Sequence, residues 1–225
     1  MSVLRAAALV AGKDLRIELR TGEIVVTTLF FAVLVAILSS LSFYVDDATA
    51  RLIAPGVLWI SIAFSGVLAM GRTWAREREQ DVMRALLLAP ISRSAIYLGK
   101  AIGALFFLFT VEIFLLPLVG VLYHVDLVPV LGPVILVLLL GTIGFVAAGT
   151  LFAAMSVRTR ARELVLSVVL FPLVAPALLC GVVATRDLLG GVSFMETLGW
   201  LRLLGAFDIA FVAAGLVLFG PLMTD

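Results

Sequence analysis

The chain is poor in the residues that do chemistry in water. It has one histidine, His124, and one cysteine, Cys180, among 225 residues. A single cysteine excludes an internal disulfide, and Cys180 lies in an apolar run, where a small packed residue is expected. No second candidate ligand stands near His124 at metal or haem spacing. There is no H-E-x-x-H for a zinc protease, no aspartate cluster for a lipid-phosphate transferase, and no G-x-x-x-x-G-K-[ST] loop to cradle a nucleotide. Charge is scarce as well. Only 14% of residues are charged, where a soluble domain carries about a quarter. Low-complexity tracts, internal repeats and long hydrophilic modules are not seen. Lys13, Asp14, Arg16, Glu18 and Arg20 fall where the apolar region of a cleavable signal peptide would have to be.

What remains is long apolar runs. Ile24–Val45, Leu52–Gly71, Leu127–Val157, Leu164–Thr185 and Ile209–Thr224 hold no Asp, Glu, Lys or Arg, and Ala101–Tyr123 holds only Glu112. About 20 apolar residues cross a bilayer as a helix. Without water, a span must be a helix or a closed barrel, and these runs lack the alternation of barrel strands. The expectation is an all-α polytopic membrane protein in one domain, with six spans at 24–44, 53–71, 101–123, 130–156, 164–185 and 203–222. Pro55 falls in the first turn of the second span. Pro172 and Pro176 interrupt the hydrogen-bond ladder of the fifth, which makes them candidates for a structural or gating role. The segment 186–202 is mildly amphipathic and is expected to form short helices at the outer interface.

Basic residues divide unevenly. Arg5, Lys13, Arg16 and Arg20 precede the first span; Arg72, Arg76, Arg78, Arg84, Arg93 and Lys100 lie between the second and third; Arg158, Arg160 and Arg162 lie between the fourth and fifth. The other side has only Arg51, Arg186 and Arg202. The bias places both termini in the cytoplasm. Residues 1–22 read as a helix in which Leu4, Ala8, Ala11, Leu15 and Leu19 form an apolar stripe beside the basic stripe of Arg5, Lys13, Arg16 and Arg20. That pattern suits a helix lying on membrane lipid at the cytoplasmic interface; packing on a partner subunit is the alternative.

The loop after the second span, "WAREREQDVMRALLLAPISRS" (Trp74–Ser94), is longer than a turn requires. Its charges are of both signs, Val82, Met83, Leu86 and Leu87 supply an apolar face, and Pro90 stops the helix. The segment 74–92 is either a solvated connector or a docking helix for a cytoplasmic partner, with mixed charge for specificity and apolar residues for affinity.

"REREQDVMRALLLAPISRSAIYLGK" resembles the coupling segment of type-2 ABC exporter permeases. More narrowly, "RLIAPGVLWISIAFSGVLAMGRTWAREREQD" and "VLSVVLFPLVAPALLCG" are similar to the haem exporter protein B (CcmB) family of cytochrome c maturation. The resemblance spans about Arg51–Gly181. It implies a non-enzymatic permease of the bacterial inner membrane. It also implies a permease homodimer and a separate cytoplasmic ABC ATPase that binds the ATP and docks on the loop between the second and third spans. Glu77, Asp81, Arg84, Leu87 and Pro90 then become the coupling residues. A haem-handling membrane subunit and a periplasmic haem chaperone are implied partners, and haem is the implied cargo, unless ATP is used to release the haem-loaded chaperone. Export of another substrate (a drug, lipid or glycan) through the same architecture is the competing reading. No nucleic-acid partner is expected, and no cofactor resident in this chain.

Two in-span acids and the histidine remain. Glu112 sits mid-helix with no basic residue in the spans to pair with; a structural hydrogen bond, a gate and a proton relay are its open roles. Asp208, a turn or two inside the last span, is expected to reach the outer interface. His124 is expected at the rim after the third span, with an axial contact to haem as the sharper alternative. An intramembrane serine protease would need a buried Ser–His pair, and Ser65 in the second span is poorly placed for a histidine at the membrane edge.

Overall fold

A computed structural model describes residues 2–42, 46–79, 82–156 and 162–224; side chains at 47, 78, 79, 83, 84, 87, 156, 162–167 and 224 fall outside that description. Among the described residues eight α-helices follow one another: α1 (Val3–Thr21), α2 (Glu23–Ser42), α3 (Asp47–Glu79), α4 (Val82–Leu88), α5 (Arg93–Leu122), α6 (Leu131–Ser156), α7 (Arg162–Leu189) and α8 (Phe194–Thr224). A 3-10 turn, Val128–Val130, leads into α6. There is no strand among the described residues. Helices α2, α3, α5, α6, α7 and α8 are long and apolar enough to cross a membrane. The chain is therefore an all-α, multi-pass membrane protein.

Local chemistry sets the helix ends. The Ser2 side chain accepts from the Arg5 N–H at 3.4 Å. Gly22, at φ 62°, closes α1 in the left-handed conformation that costs glycine nothing. Asp46 caps α3 by accepting from the Ala48 and Thr49 N–H groups at 3.1 and 3.2 Å and from the Thr49 hydroxyl at 2.8 Å. The Thr49 hydroxyl, first, and then its N–H hold the Asp46 carboxyl below its ordinary pKa. Ser92 caps α5 through the Ala95 N–H.

Several boundaries differ from expectation. Helix α3 runs well past 53–71 at both ends, so Pro55 lies inside it rather than in its first turn. Its buried face simply continues: Met70, Thr73, Trp74 and Glu77 follow at spacings of three, one and three residues. The segment 74–92 is not one helix. Trp74–Glu79 belongs to α3, α4 has seven residues, and 89–92, containing Pro90, is a bend. No separate short helices occupy 186–202. α7 extends to Leu189, Gly191 turns at φ 84°, and α8 starts at Phe194. Ser193 caps α8 there: the Glu196 N–H donates to Ser193 Oγ at 3.4 Å, and the Ser193 hydroxyl donates to Glu196 Oε1 at 3.1 Å. Helix α7 continues through Pro172 and Pro176, each of which leaves one hydrogen bond of its ladder unmade.

Helix α6 is the central post, packed against α8, α7, α5 and α3, while α1 lies on α5 and α2 on α3 and α5. Trp59 anchors the middle of the bundle. It is buried, and its Nε1 donates to Thr185 Oγ1 on α7 at 3.0 Å. Gly141 and Gly181 make room for it. A Cβ on either would sit 2.2 or 2.5 Å from the indole ring, closer than atoms can approach. Small residues thus let three helix backbones close around one large ring, as membrane packing favours.

Candidate functional site at the junction of α1, α3 and α5

Helix α1 buries small residues and two acids, while Leu4, Leu9 and Leu19 are exposed and Leu15 is half-buried. Ala6, Ala7, Val10, Ala11, Asp14 and Glu18 face the protein at helical spacing. The approach to α5 is close because Gly99 lacks a side chain; a Cβ there would meet Val10 Cβ at 2.6 Å and the Ala7 carbonyl at 2.7 Å. One helical turn further along α1, this contact carries Asp14 to Lys100.

Lys100 is buried, at 1% exposure. Its Nζ donates to Asp14 Oδ2 at 2.8 Å and to Glu77 Oε1. Glu77, 4% exposed, also accepts from Lys13 Nζ at 2.5 Å, and Lys13 lies 2.9 Å from Asp14 Oδ1. Two lysines and two carboxylates from three helices therefore close on one another. Burial of Lys13 favours its neutral form, but Glu77 and Asp14 outweigh that and raise its pKa above the usual lysine value. Glu77 Oε2 has no hydrogen-bond partner. Glu77 and Asp14 border a cavity of about 10 Å³, close to the space one water needs.

The network extends to α2. Glu18 Oε1 accepts the Val25 N–H at 2.8 Å, satisfying a free donor of the first turn of α2. Arg76 NH1 lies 3.7 Å from Glu18, and Arg76 and Arg72 reach Glu23 at 3.2 and 3.1 Å. Lys13, Lys100, Arg72 and Arg76 thus balance Asp14, Glu18, Glu23 and Glu77. Nothing here is arranged as a nucleophile with its base. The arrangement is a charge-balanced joint that ties α1 and α2 to the end of α3 and the start of α5. Any movement of the end of α3 must carry the joint or break it.

The other expected residues are scattered. Glu77, expected as a coupling residue, is buried inside the joint at 4% exposure. Asp81 lies outside the described residues, and the side chains of Arg84 and Leu87, on α4, do too. Pro90 is exposed in the bend, and Leu88 and Ala85 are exposed on α4. Leu86 and Ile91 pack on the core. Glu112 is buried and accepts from the Thr142 hydroxyl. Asp208 corrects expectation: it lies about four turns into α8 and is 7% exposed rather than at the outer interface, because α8 starts earlier than expected. Pro172 and Pro176 are both exposed on α7, and Pro172 lines an apolar groove with Trp59 and Phe64 of α3. His124 is exposed and holds φ 49° in the turn that ends α5. It occupies the left-handed position that follows a helix C-cap, which histidine tolerates better than most residues.

Asp14, Glu18, Lys13 and Lys100 were missed as a group. The signal was present: Asp14 and Glu18 continue the line of Ala7, Val10 and Ala11 at i+3 and i+4. A line of small residues ending in acids marks a buried face better than the more hydrophobic line of leucines does.

Six apolar spans, small-residue packing and a charge-balanced joint at one end describe a polytopic helical membrane protein. A family profile described as CcmB protein matches residues 5–220, and the chain belongs to that family. Among curated relatives, "Heme exporter protein B" of Bradyrhizobium diazoefficiens is 29% identical over 182 residues, 80% of each chain. Its counterpart in Paracoccus denitrificans is 29% identical over 84% of this chain and 86% of that one. The Rhodobacter capsulatus protein of the same name is 28% identical over 89% and 91%.

Proposed function

We propose that this chain is the membrane permease subunit of an ABC transporter for cytochrome c maturation, with haem as its cargo. Membership of the CcmB family over residues 5–220 carries the reading, together with relatives named for haem export. The chain contributes no ATP chemistry. A partner ATPase docks from the cytoplasm on α4 and the bend at 89–92, in an assembly built on a permease dimer in the inner membrane. Both termini face the cytoplasm, following the distribution of Lys and Arg.

The joint gives the docking segment a mechanical path. α4 joins the end of α3 to the start of α5, and Glu77 and Lys100 flank it and bond to each other. Force on α4 therefore reaches α1 and α2 through Lys13, Asp14 and Arg76 without first crossing the membrane. The outward-facing Leu4, Leu9 and Leu19 of α1, with exposed Arg5, Arg16 and Arg20, suit a helix lying on anionic lipid.

The test is co-purification. The tagged chain, extracted in mild detergent from cells expressing the ATPase, retains that ATPase, and Leu88→Asp reduces its recovery at least severalfold while membrane insertion is unchanged. Equal recovery with the native and Leu88→Asp chains would sink the docking assignment.

A further inference from the structure

The α5–α6 interface contains a cavity of about 520 Å³ with one polar residue in its lining, Glu112. The rest is Phe, Ile, Leu and Pro side chains, and Ile113, Leu131, Ile135 and Leu139 are exposed at its rim. The cavity therefore opens sideways, toward the hydrocarbon. Glu112 is 5% exposed, and Thr142 donates to its Oε1. Among the described residues no cation pairs with it. A carboxyl group has acceptor capacity for more than one donor, and hydrocarbon has no water to supply the others. Acids within spans face a protein interior or a ligand for this reason.

The occupant is constrained by place and size. It enters from the bilayer, so it is mostly apolar and carries no permanent charge, and a carboxylate would meet Glu112 unfavourably. The volume falls within the roughly 300–1,000 Å³ of small-molecule sites. We propose that the α5–α6 cavity binds an uncharged, largely apolar molecule dissolved in the bilayer, which presents one hydroxyl donor to Glu112. This site is independent of the cargo assigned above.

The test uses the full chain in lipid nanodiscs, a photoactivatable alkylphenol, and its methyl ether, which has the same shape without the donor. Labelled peptides are mapped by mass spectrometry. The phenol labels α5 and α6 about tenfold more than the ether, as expected for one hydrogen bond to an acidic group, and excess unlabelled alkylphenol competes. Glu112→Leu removes the preference, whereas Thr142→Val retains it because the carboxyl is untouched. Equal labelling by phenol and ether in the native chain would overturn the proposal, and this comparison requires no variant to fold. Phenol labelling that survives Glu112→Leu, or disappears in Thr142→Val, would also overturn it. So would labelling that is blocked by a co-purifying membrane protein but not by the free alkylphenol, since that outcome assigns the face to a partner helix.

Discussion

Glu77→Gln tests the joint most informatively. The substitution keeps size and shape but removes the carboxylate that Lys13 and Lys100 share. Lys13 has 32% of its side chain exposed and can turn to water; Lys100, with 1%, cannot. Breaking a buried ion pair by removing one partner costs about 3–5 kcal/mol. Lys100 keeps Asp14 at 2.8 Å, so the expected loss is smaller, roughly 2–3 kcal/mol. For a chain of this length each kcal/mol moves a melting midpoint by about 2–4 °C, which gives a fall of about 4–12 °C. Replacing both partners, Glu77→Leu with Lys100→Met, leaves Lys13 with Asp14 and removes the stranded ammonium. That double variant should melt closer to the native chain than Glu77→Gln does. Thermal unfolding in detergent, followed by a thiol-independent fluorescence readout at one scan rate, measures both. A Glu77→Gln midpoint within about 1 °C of native, or a double variant whose loss is the sum of the two single losses, would refute the coupled network.

Other outcomes follow from the same geometry. Gly99→Val places a branched side chain against Val10 and the Ala7 carbonyl, so α1 lifts from α5; limited proteolysis should then cut within 2–21 at least severalfold faster, with α2–α8 intact. Raising pH should release α1 in the same assay. The raised pKa of Lys13 means that the folded chain favours its charged form, so that stabilisation is complete below the usual lysine pKa of about 10.4 and is lost as pH climbs through the higher folded value. Lys13→Arg should move the release to still higher pH, and an unchanged release curve would remove Lys13 from the joint. His124→Gly relieves the left-handed backbone and should leave assembly of c-type cytochromes near normal. Complete loss of those cytochromes would show that the imidazole itself is needed.

The six spans were legible because length and freedom from charge suffice to identify a membrane helix, whatever it packs against. Their ends were less so. Met70 to Glu77 continues a buried face across charged sequence, and a charge count reads that stretch as loop. Asp208 falls a turn or two into a span that begins at 203, whereas the Ser193-x-x-Glu196 signature already marks a helix start at Phe194. The joint was the hardest part. Lys13, Asp14, Glu77 and Lys100 are separated by up to 87 positions from first to last, and the packing of α1 on α5 at Gly99 and of α3 on α5 brings them together. Taken alone, Lys13 read as part of a lipid-facing basic stripe and Glu77 as a docking residue. The resemblance to the CcmB family, carried by the stretches from Arg51 to Gly181, agrees with the match over residues 5–220.

Cytochrome c maturation is proposed to depend on this permease through the segment that joins α3 to α5. The most direct test is haem staining of c-type cytochromes in a strain whose own copy is deleted and replaced by the native chain or by Leu88→Asp. The native chain should restore the haem-stained bands, and Leu88→Asp should lower them to near the deletion level while accumulating in the membrane at native amounts. Normal c-type cytochromes in the deletion strain itself would contradict the account.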